Sequence, residues 1–286
     1  MDKRPRTIQT RSNPSNAGTK QLANTPDGVS VAVQILHMQF FGDKQNKREH
    51  APELVAAGRA LLAQVKFNRT NQQDDFDLDG VVAACLTGND GYALAKVICE
   101  NLNQAVVAHD TYGFEHNQLL RRLFQTQPTA ALDGFFTGSE KEIAIGSRIV
   151  EVASTHQQNP MDQVSDAMLL AWCERNPIER FPAIALAVSN DNLSNWNRRA
   201  SVLVHGAPDP IAVMRAFAAR LRPNEWGSSR STILEANAKL PEQFDTRGNA
   251  KLVAFIETEK TNLLKEAAAD REWETKHDKG RDERFE

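Results

Sequence analysis

Two stretches of this 286-residue chain hold side chains whose types and spacing could do chemistry. His109-Asp110-Thr111-Tyr112-Gly113-Phe114-Glu115-His116 packs four potential metal ligands, His109, Asp110, Glu115 and His116, into eight residues. If Gly113 folds the loop back, two imidazoles and a carboxylate converge on a divalent ion, and a metal-dependent hydrolase follows. A single helical face cannot supply that geometry, because Gly113 stands between the two His. No H-E-x-x-H occurs anywhere in the chain. The other reading of this stretch is a polar loop between helices, with Tyr112 and Phe114 packed beneath it. Asp75-Phe76-Asp77-Leu78-Asp79-Gly80 matches the first half of a calcium loop, D-x-D-x-D-G. A complete loop needs a bidentate Glu at its twelfth position, where this chain has Leu86. The simpler reading is an acidic helix entry, with Asp77 or Asp79 as cap and the negative charge favoured by the helix dipole.

Other catalytic signals are missing. There is no G-x-x-x-x-G-K-[ST], no G-x-G-x-x-G and no G-x-S-x-G. Phosphate cradling and the nucleophile elbow therefore lack sequence support, and no cofactor is expected. Cys85, Cys99 and Cys173 are odd in number, show no C-x-x-C spacing and sit in apolar helical runs. They read as small buried hydrophobes, reduced as in a cytoplasmic protein. No signal peptide is recognised at the N-terminus, and no stretch approaches the roughly 18 apolar residues of a membrane helix. Asn68-Arg69-Thr70 and Asn192-Leu193-Ser194 match the glycosylation sequon by chance on that reading.

The remaining constellation is a basic strip. Between Asn195 and Arg230 all six basic residues are Arg, against Asp209 and Glu225, a local balance of +4. Trp196 and Trp226 lie near its ends, with Arg198, Arg199, Arg220, Arg222 and Arg230 as its main cations. Guanidinium offers a planar fork for carboxylate or phosphate, and Trp offers a stacking face. Three uses are open. The strip can be solvated and partly met by the acidic C-terminal segment, it can bind an acidic protein surface, or it can bind nucleic acid.

The elements that must position these residues read as helices throughout. Val29, Val33, Leu36 and Phe40 form one stripe of a helix that starts at Gly28 and ends at Gly42-Asp43. Pro52 opens a second helix with Leu54, Leu61, Leu62 and Val65, followed by a polar loop over Asn68 to Asp75. A short helix spans Val81 to Leu86, closed by Gly88-Asn89-Asp90-Gly91. Leu94, Val97, Ile98 and Leu102 mark a longer one that breaks after Val107, and Leu119 to Phe124 the next. Pro128, Pro177 and Pro210 begin further helices, where the missing N–H costs nothing. Ser139-Glu140-Lys141-Glu142 is a capping box. Ser165 looks like another N-cap with Val164 and Leu169 as hydrophobic staple, and Ser228 or Ser229 caps a helix with Ile233 and Leu234.

The closing segment differs. Sixteen of the 28 residues from Glu259 to Glu286 are charged. Leu252, Ile256, Leu263 and Ala267 supply a thin stripe that fades past Ala269. A long helix docked at its start and solvated at its end is expected, with Glu272 and Lys276 as a favourable i,i+4 pair. At the other end, residues 1–27 form a polar, basic arm carrying Lys3, Arg4, Arg6, Arg11 and Lys20.

Composition agrees with helices. Ala occurs 36 times and Tyr twice. The net charge of −3, with 41% hydrophobic and 25% charged residues, is ordinary for a folded chain and gives no global polybasic argument for nucleic acid or membrane. Pro at the start of successive helices, followed by apolar triplets, resembles the helix pairs of HEAT-like α-solenoids. Asp209-Pro210-Ile211-Ala212-Val213-Met214 looks most like such a repeat opening. The likeness covers roughly residues 110–260, with Pro spacings of 49 and 33 residues. The closing portion, Trp226-Gly227-Ser228-Ser229-Arg230 with Arg271-Glu272-Trp273-Glu274 and Asp282-Glu283-Arg284-Phe285-Glu286, resembles the C-terminal ends of large, uncharacterised bacterial helical-repeat proteins. The resemblance implies a helical module of a larger assembly, with a defence or stress assembly suggested by association alone, and carries no catalytic motif.

The expectation is an all-α chain of about twelve helices in stacked antiparallel pairs, α-solenoid-like, with an arm over 1–27, a helical-repeat region over 28–245 and a charged C-terminal helix over 246–286. Its expected role is a non-catalytic, cytoplasmic interaction or scaffold module. The expected partner is a protein with an acidic surface, nucleic acid is the alternative, and no membrane is involved.

Overall fold

Helix ends decide where each element lies, because the first four N–H groups and last four C=O groups of a helix need partners from elsewhere. The structure is a computed structural model that describes residues 28–67, 74–153, 159–188, 193–223 and 229–282. Within these residues the fold is all-α, with thirteen α-helices and no strand. The basic arm expected over residues 1–27 lies outside the described residues.

Residues 1–130 and 131–286 make two compact units. The first holds α1 (Gly28–Gln45), α2 (Pro52–Leu62), α3 (Asp75–Cys85), α4 (Tyr92–Val107) and α5 (Asn117–Thr126), and the division falls inside α6 (Pro128–Phe135). Helix α3 packs on α1, α2 and α5, and α2 also touches α4. The stripe read from the sequence is the core: Val29, Val33, Leu36 and Phe40 are buried, with Leu61, Leu62, Val81, Val82 and Cys85. Gly58 is buried in α2, and a Cβ there would overlap Cys85 Sγ, so the close approach of α2 to α3 requires glycine.

The second unit holds α7 (Glu140–Val152), α8 (Asp166–Cys173), α9 (Pro177–Ala185), α10 (Leu193–Gly206), α11 (Pro210–Ala219), α12 (Arg230–Asn237) and α13 (Ala250–Asp282). Alternate helices lie side by side here: α8 packs on α10, α9 on α11, and α11 on α13, while α12 packs along α13. Leu263 and Ala267 of α13 join Ala218, Leu221, Leu234 and Leu240 in one buried cluster.

Most caps are where the sequence places them. Ser139 and Glu142 exchange both bonds of a capping box, and Ser165 and Ser229 accept the amides of Met168 and Thr232. Pro52, Pro177 and Pro210 occupy first-turn positions. Two boundaries differ from the sequence reading. Helix α1 runs through Gly42 to Gln45 and ends where Lys47 takes a positive φ of 52°. Helix α3 starts at Asp75, several residues before Val81, because Asp74 is the cap and accepts from Phe76 N at 2.9 Å and Asp77 N at 3.2 Å. Asp77 and Asp79, expected as caps, lie inside the helix.

Candidate functional site

Each arginine of the basic strip with a described side chain from Arg198 to Arg230, Arg215 aside, has an internal partner. Arg198 reaches Asp166 Oδ2 at 3.0 Å while its side chain stays 74% exposed. Arg199 donates to the carbonyls of Met161 at 2.8 Å and Val164 at 2.7 Å, and its Nε lies 3.3 Å from Asp166. Arg220 closes the end of α9 by donating to the carbonyls of Leu186 and Val188, and it reaches Glu151 at 3.1 Å. Arg215 points outward from α11.

Arg222 and Arg230 turn to the C-terminal helix. Arg222 grips Glu266 through Nε at 2.9 Å and Nη2 at 2.8 Å, and reaches Glu259 through Nη1. Its bond to Glu266, then that to Glu259, holds the guanidinium even more firmly charged than usual. Arg230 pairs with Asp270, and Arg271 returns the exchange to Glu235. Glu274 accepts from the hydroxyls of Ser229 and Ser231, both at 2.8 Å, which pull its carboxyl below the usual range. The anchored part of α13 therefore extends past Ala269, where its apolar stripe ends. Trp226 and the side chain of Trp196 lie outside the described residues. The forks expected to meet an acidic partner are thus largely occupied by this chain's own carboxylates and carbonyls.

No three of the candidate ligands His109, Asp110, Glu115 and His116 converge in this structure. Among the described residues no group of three or more His, Cys, Asp or Glu side chains is placed to hold one. His109 takes a positive φ of 59° at the exposed end of α4. His116 turns inward, edge-on to Phe67 at 4.9 Å between ring centroids. Thr111 Oγ1 donates to Glu115 Oε2 at 2.6 Å, so the 3.0 Å contact with His116 Nε2 requires the imidazole to donate. Burial pushes the His116 pKa down to about 4 despite the nearby Glu115 carboxylate. One imidazole is spent on packing and Glu115 on closing the turn, where it also accepts the Tyr112 amide at 3.0 Å.

The acidic run has similar work. Asp75 accepts from the amides of Gln118 at 2.7 Å and Leu119 at 2.9 Å, so it caps the start of α5 from α3. Asp79 holds Arg122 of α5, with Nε at 2.8 Å. Asp77 faces His37 of α1, whose Nδ1 lies 3.6 Å from its carboxylate. The three side chains thus point to different neighbours. The cysteines are buried, and desolvation pushes Cys85 and Cys173 up to about 12 and raises Cys99 as well. None is poised as a thiolate.

A surface in the first unit was missed by the sequence reading. Val31, Met38 and Phe41 stand seven and three residues apart on α1, one helical face opposite the buried stripe. All three are exposed, Met38 to 64%, and Phe76 of α3 is 54% exposed. The rings of Phe41 and Phe76 flank His37, at 6.3 and 4.8 Å between centroids. Gly80 makes room for that imidazole, since a Cβ there would overlap the His37 ring. The available signal was the second apolar period on α1, hidden beneath the stronger first one. Beyond it, the end of α1 and the start of α2 enclose an open groove of about 550 Å³.

Comparison with protein families, with curated proteins and with solved structures finds no match for this chain. Among the described residues no helix is long and apolar enough to cross a membrane.

Proposed function

We propose that the chain is a non-catalytic protein-interaction or scaffold module. One observation carries this reading: the exposed face of Val31, Met38, Phe41 and Phe76 beside a groove in the same unit. Large apolar side chains grouped on a helix whose other face is already buried mark a contact surface more often than a solvated one. The side-by-side packing of alternate helices supports an α-solenoid-like, HEAT-like arrangement within this proposal. The idea that the module serves a bacterial multi-protein assembly rests on the sequence resemblance. An acidic partner would have to use mainly Arg198 and Arg215, because Arg199, Arg220, Arg222 and Arg230 are engaged internally.

Affinity purification of the full chain from its native cell, with and without nuclease, tests the reading. A stoichiometric protein partner that survives nuclease is the expected result. Recovery of nucleic acid alone would overturn it. So would one tightly bound metal ion per chain that disappears in His109→Ala.

A further inference from the structure

Helix α1 does not pass smoothly into α2. Asn46 Nδ2 donates to Gly42 O at 2.7 Å, and Arg48 N donates to Asp43 O at 2.9 Å. The chain then turns through Lys47 and re-enters a helix at Pro52. The turn holds the two helix ends apart, and the groove between them falls within the roughly 300–1,000 Å³ range of ligand pockets. Its apolar lining is Met38 of α1 with Ala51 and Leu54 at the start of α2, and exposed Phe41 stands three residues beyond Met38 on α1.

The charge of the lining is one-sided. Asp43, Glu49 and Glu53 face the groove with Arg48 as the single cation. Glu49 and Glu53 are exposed and make no ion pair among the described residues, while Asp43 has only His50 beside it, at 3.4 Å. These carboxylates differ in that respect from those of Asp75, Asp79, Glu266 and Asp270, each of which has an amide or guanidinium in place. An acidic segment would meet like charge here, whereas lysine or arginine side chains would be attracted and steered.

We propose that this groove docks a short basic peptide segment of a partner protein. Its Lys or Arg side chains reach Asp43, Glu49 and Glu53, and an apolar side chain rests on Met38 and Leu54. The inference rests on the interaction-module reading and gives it a surface and a partner chemistry.

Gly42 supplies a clean test. It lines the groove, is helical, and a Cβ there meets nothing within 4 Å. Gly42→Trp therefore fills the groove without disturbing the core, and Gly42→Ala leaves it open. The assay is fluorescence anisotropy of a labelled twelve-residue Lys/Leu peptide with the full chain, against a Glu/Leu peptide of equal length. Circular dichroism confirms that each variant is folded. The basic peptide is expected to bind and the acidic one not. Gly42→Trp and the pair Glu49→Lys/Glu53→Lys should each weaken binding on the order of tenfold or more, with Gly42→Ala unchanged. Equal binding of both peptides, or binding that ignores the variants, would overturn the proposal. A zero-length cross-link from Lys3 or Lys20 to Glu49 or Glu53 in the isolated monomer would assign the groove to the chain itself and also overturn it. A cellular protein partner retained equally by Gly42→Trp would remove the groove from the interaction while leaving the module reading intact.

Discussion

The two units draw mainly on different side chains where their helices begin and end. In residues 1–130 a short carboxylate serves the start of a neighbouring helix: Asp75 of α3 takes two amides of α5. In residues 131–286 long guanidinium groups serve helix ends: Arg180 donates to Trp172 O, Arg199 to Met161 O and Val164 O, and Arg220 to Leu186 O and Val188 O. Hydrogen-bond direction explains the difference: a helix start exposes N–H donors and takes a carboxylate acceptor, whereas a helix end exposes C=O acceptors and takes a guanidinium donor, which can also pair with an acid on the way. The first unit uses this device too, through Arg59 on Cys85 O and Gln127 on Leu86 O and Gly88 O, but less often. The lesson is that a run of Asp or a strip of Arg in a helical chain is first of all a supply of internal partners, for helix ends and for opposite charges.

The comparison breaks most easily at Asp133. This buried carboxylate accepts from Trp172 Nε1 at 2.8 Å and lies 3.2 Å from Arg180, whose guanidinium stacks over the Trp172 ring at 4.4 Å. Asp133→Ala leaves the half-buried Arg180 guanidinium and the buried Trp172 indole N–H without that acceptor and should cost about 3 kcal/mol of unfolding free energy. All four tryptophans are in the second unit and both tyrosines in the first, so tryptophan emission during urea unfolding reads the second unit selectively. An unchanged midpoint would show that the arginine network does not hold that unit.

The first unit should be the pH-sensitive one. His116 has a folded pKa of about 4, below its ordinary 6.5, so it stays neutral when folded while the unfolded chain takes up a proton. Stability is therefore fully present above pH 6.5, falls as pH drops through the window from 6.5 to 4, and is lost by about 3 kcal/mol at its lower end. Hydrogen exchange in α4 and α5 measured across that window should show the decline. His116→Leu should flatten its slope, and an equal slope in the variant would place the proton elsewhere.

Asp75→Ala should cost about 1–2 kcal/mol through the two α5 amides it abandons, visible as faster exchange at Gln118 and Leu119. Arg222→Ala should cost about 1 kcal/mol, discounted for its partial exposure, and should loosen α13 around Glu259 and Glu266 without unfolding the rest. The smallest effect belongs to Lys276→Ala. Its 2.6 Å pair with Glu272 is solvent-exposed on both sides, and no change in the melting temperature is expected.

Much of the fold was legible in residues alone. The stripe of Val29, Val33, Leu36 and Phe40 announced a core helix. Ser139, Ser165, Ser229 and the prolines announced helix starts, and Leu252, Ile256, Leu263 and Ala267 announced a docked C-terminal helix. These signals are local, because they depend on a 3.6-residue period and on amides within three residues. The site was less legible. Nothing in the spacing of Arg222 and Arg230 distinguishes an open fork from one filled by Glu266 or Asp270, about 40 residues further along the chain. The same holds for His116, whose role depends on Phe67, and for Asp75, whose amides belong to another helix.

The sequence by itself thus determined an all-helical chain and the buried face of many of its helices. Tertiary structure decided which charged side chains are spent inside the protein and which, like Glu49 and Glu53, remain turned outward. The physical reason is that a charge is neutralised by whatever packing brings within a few ångströms of it, and that neighbour is set by helix-to-helix contact across tens of residues.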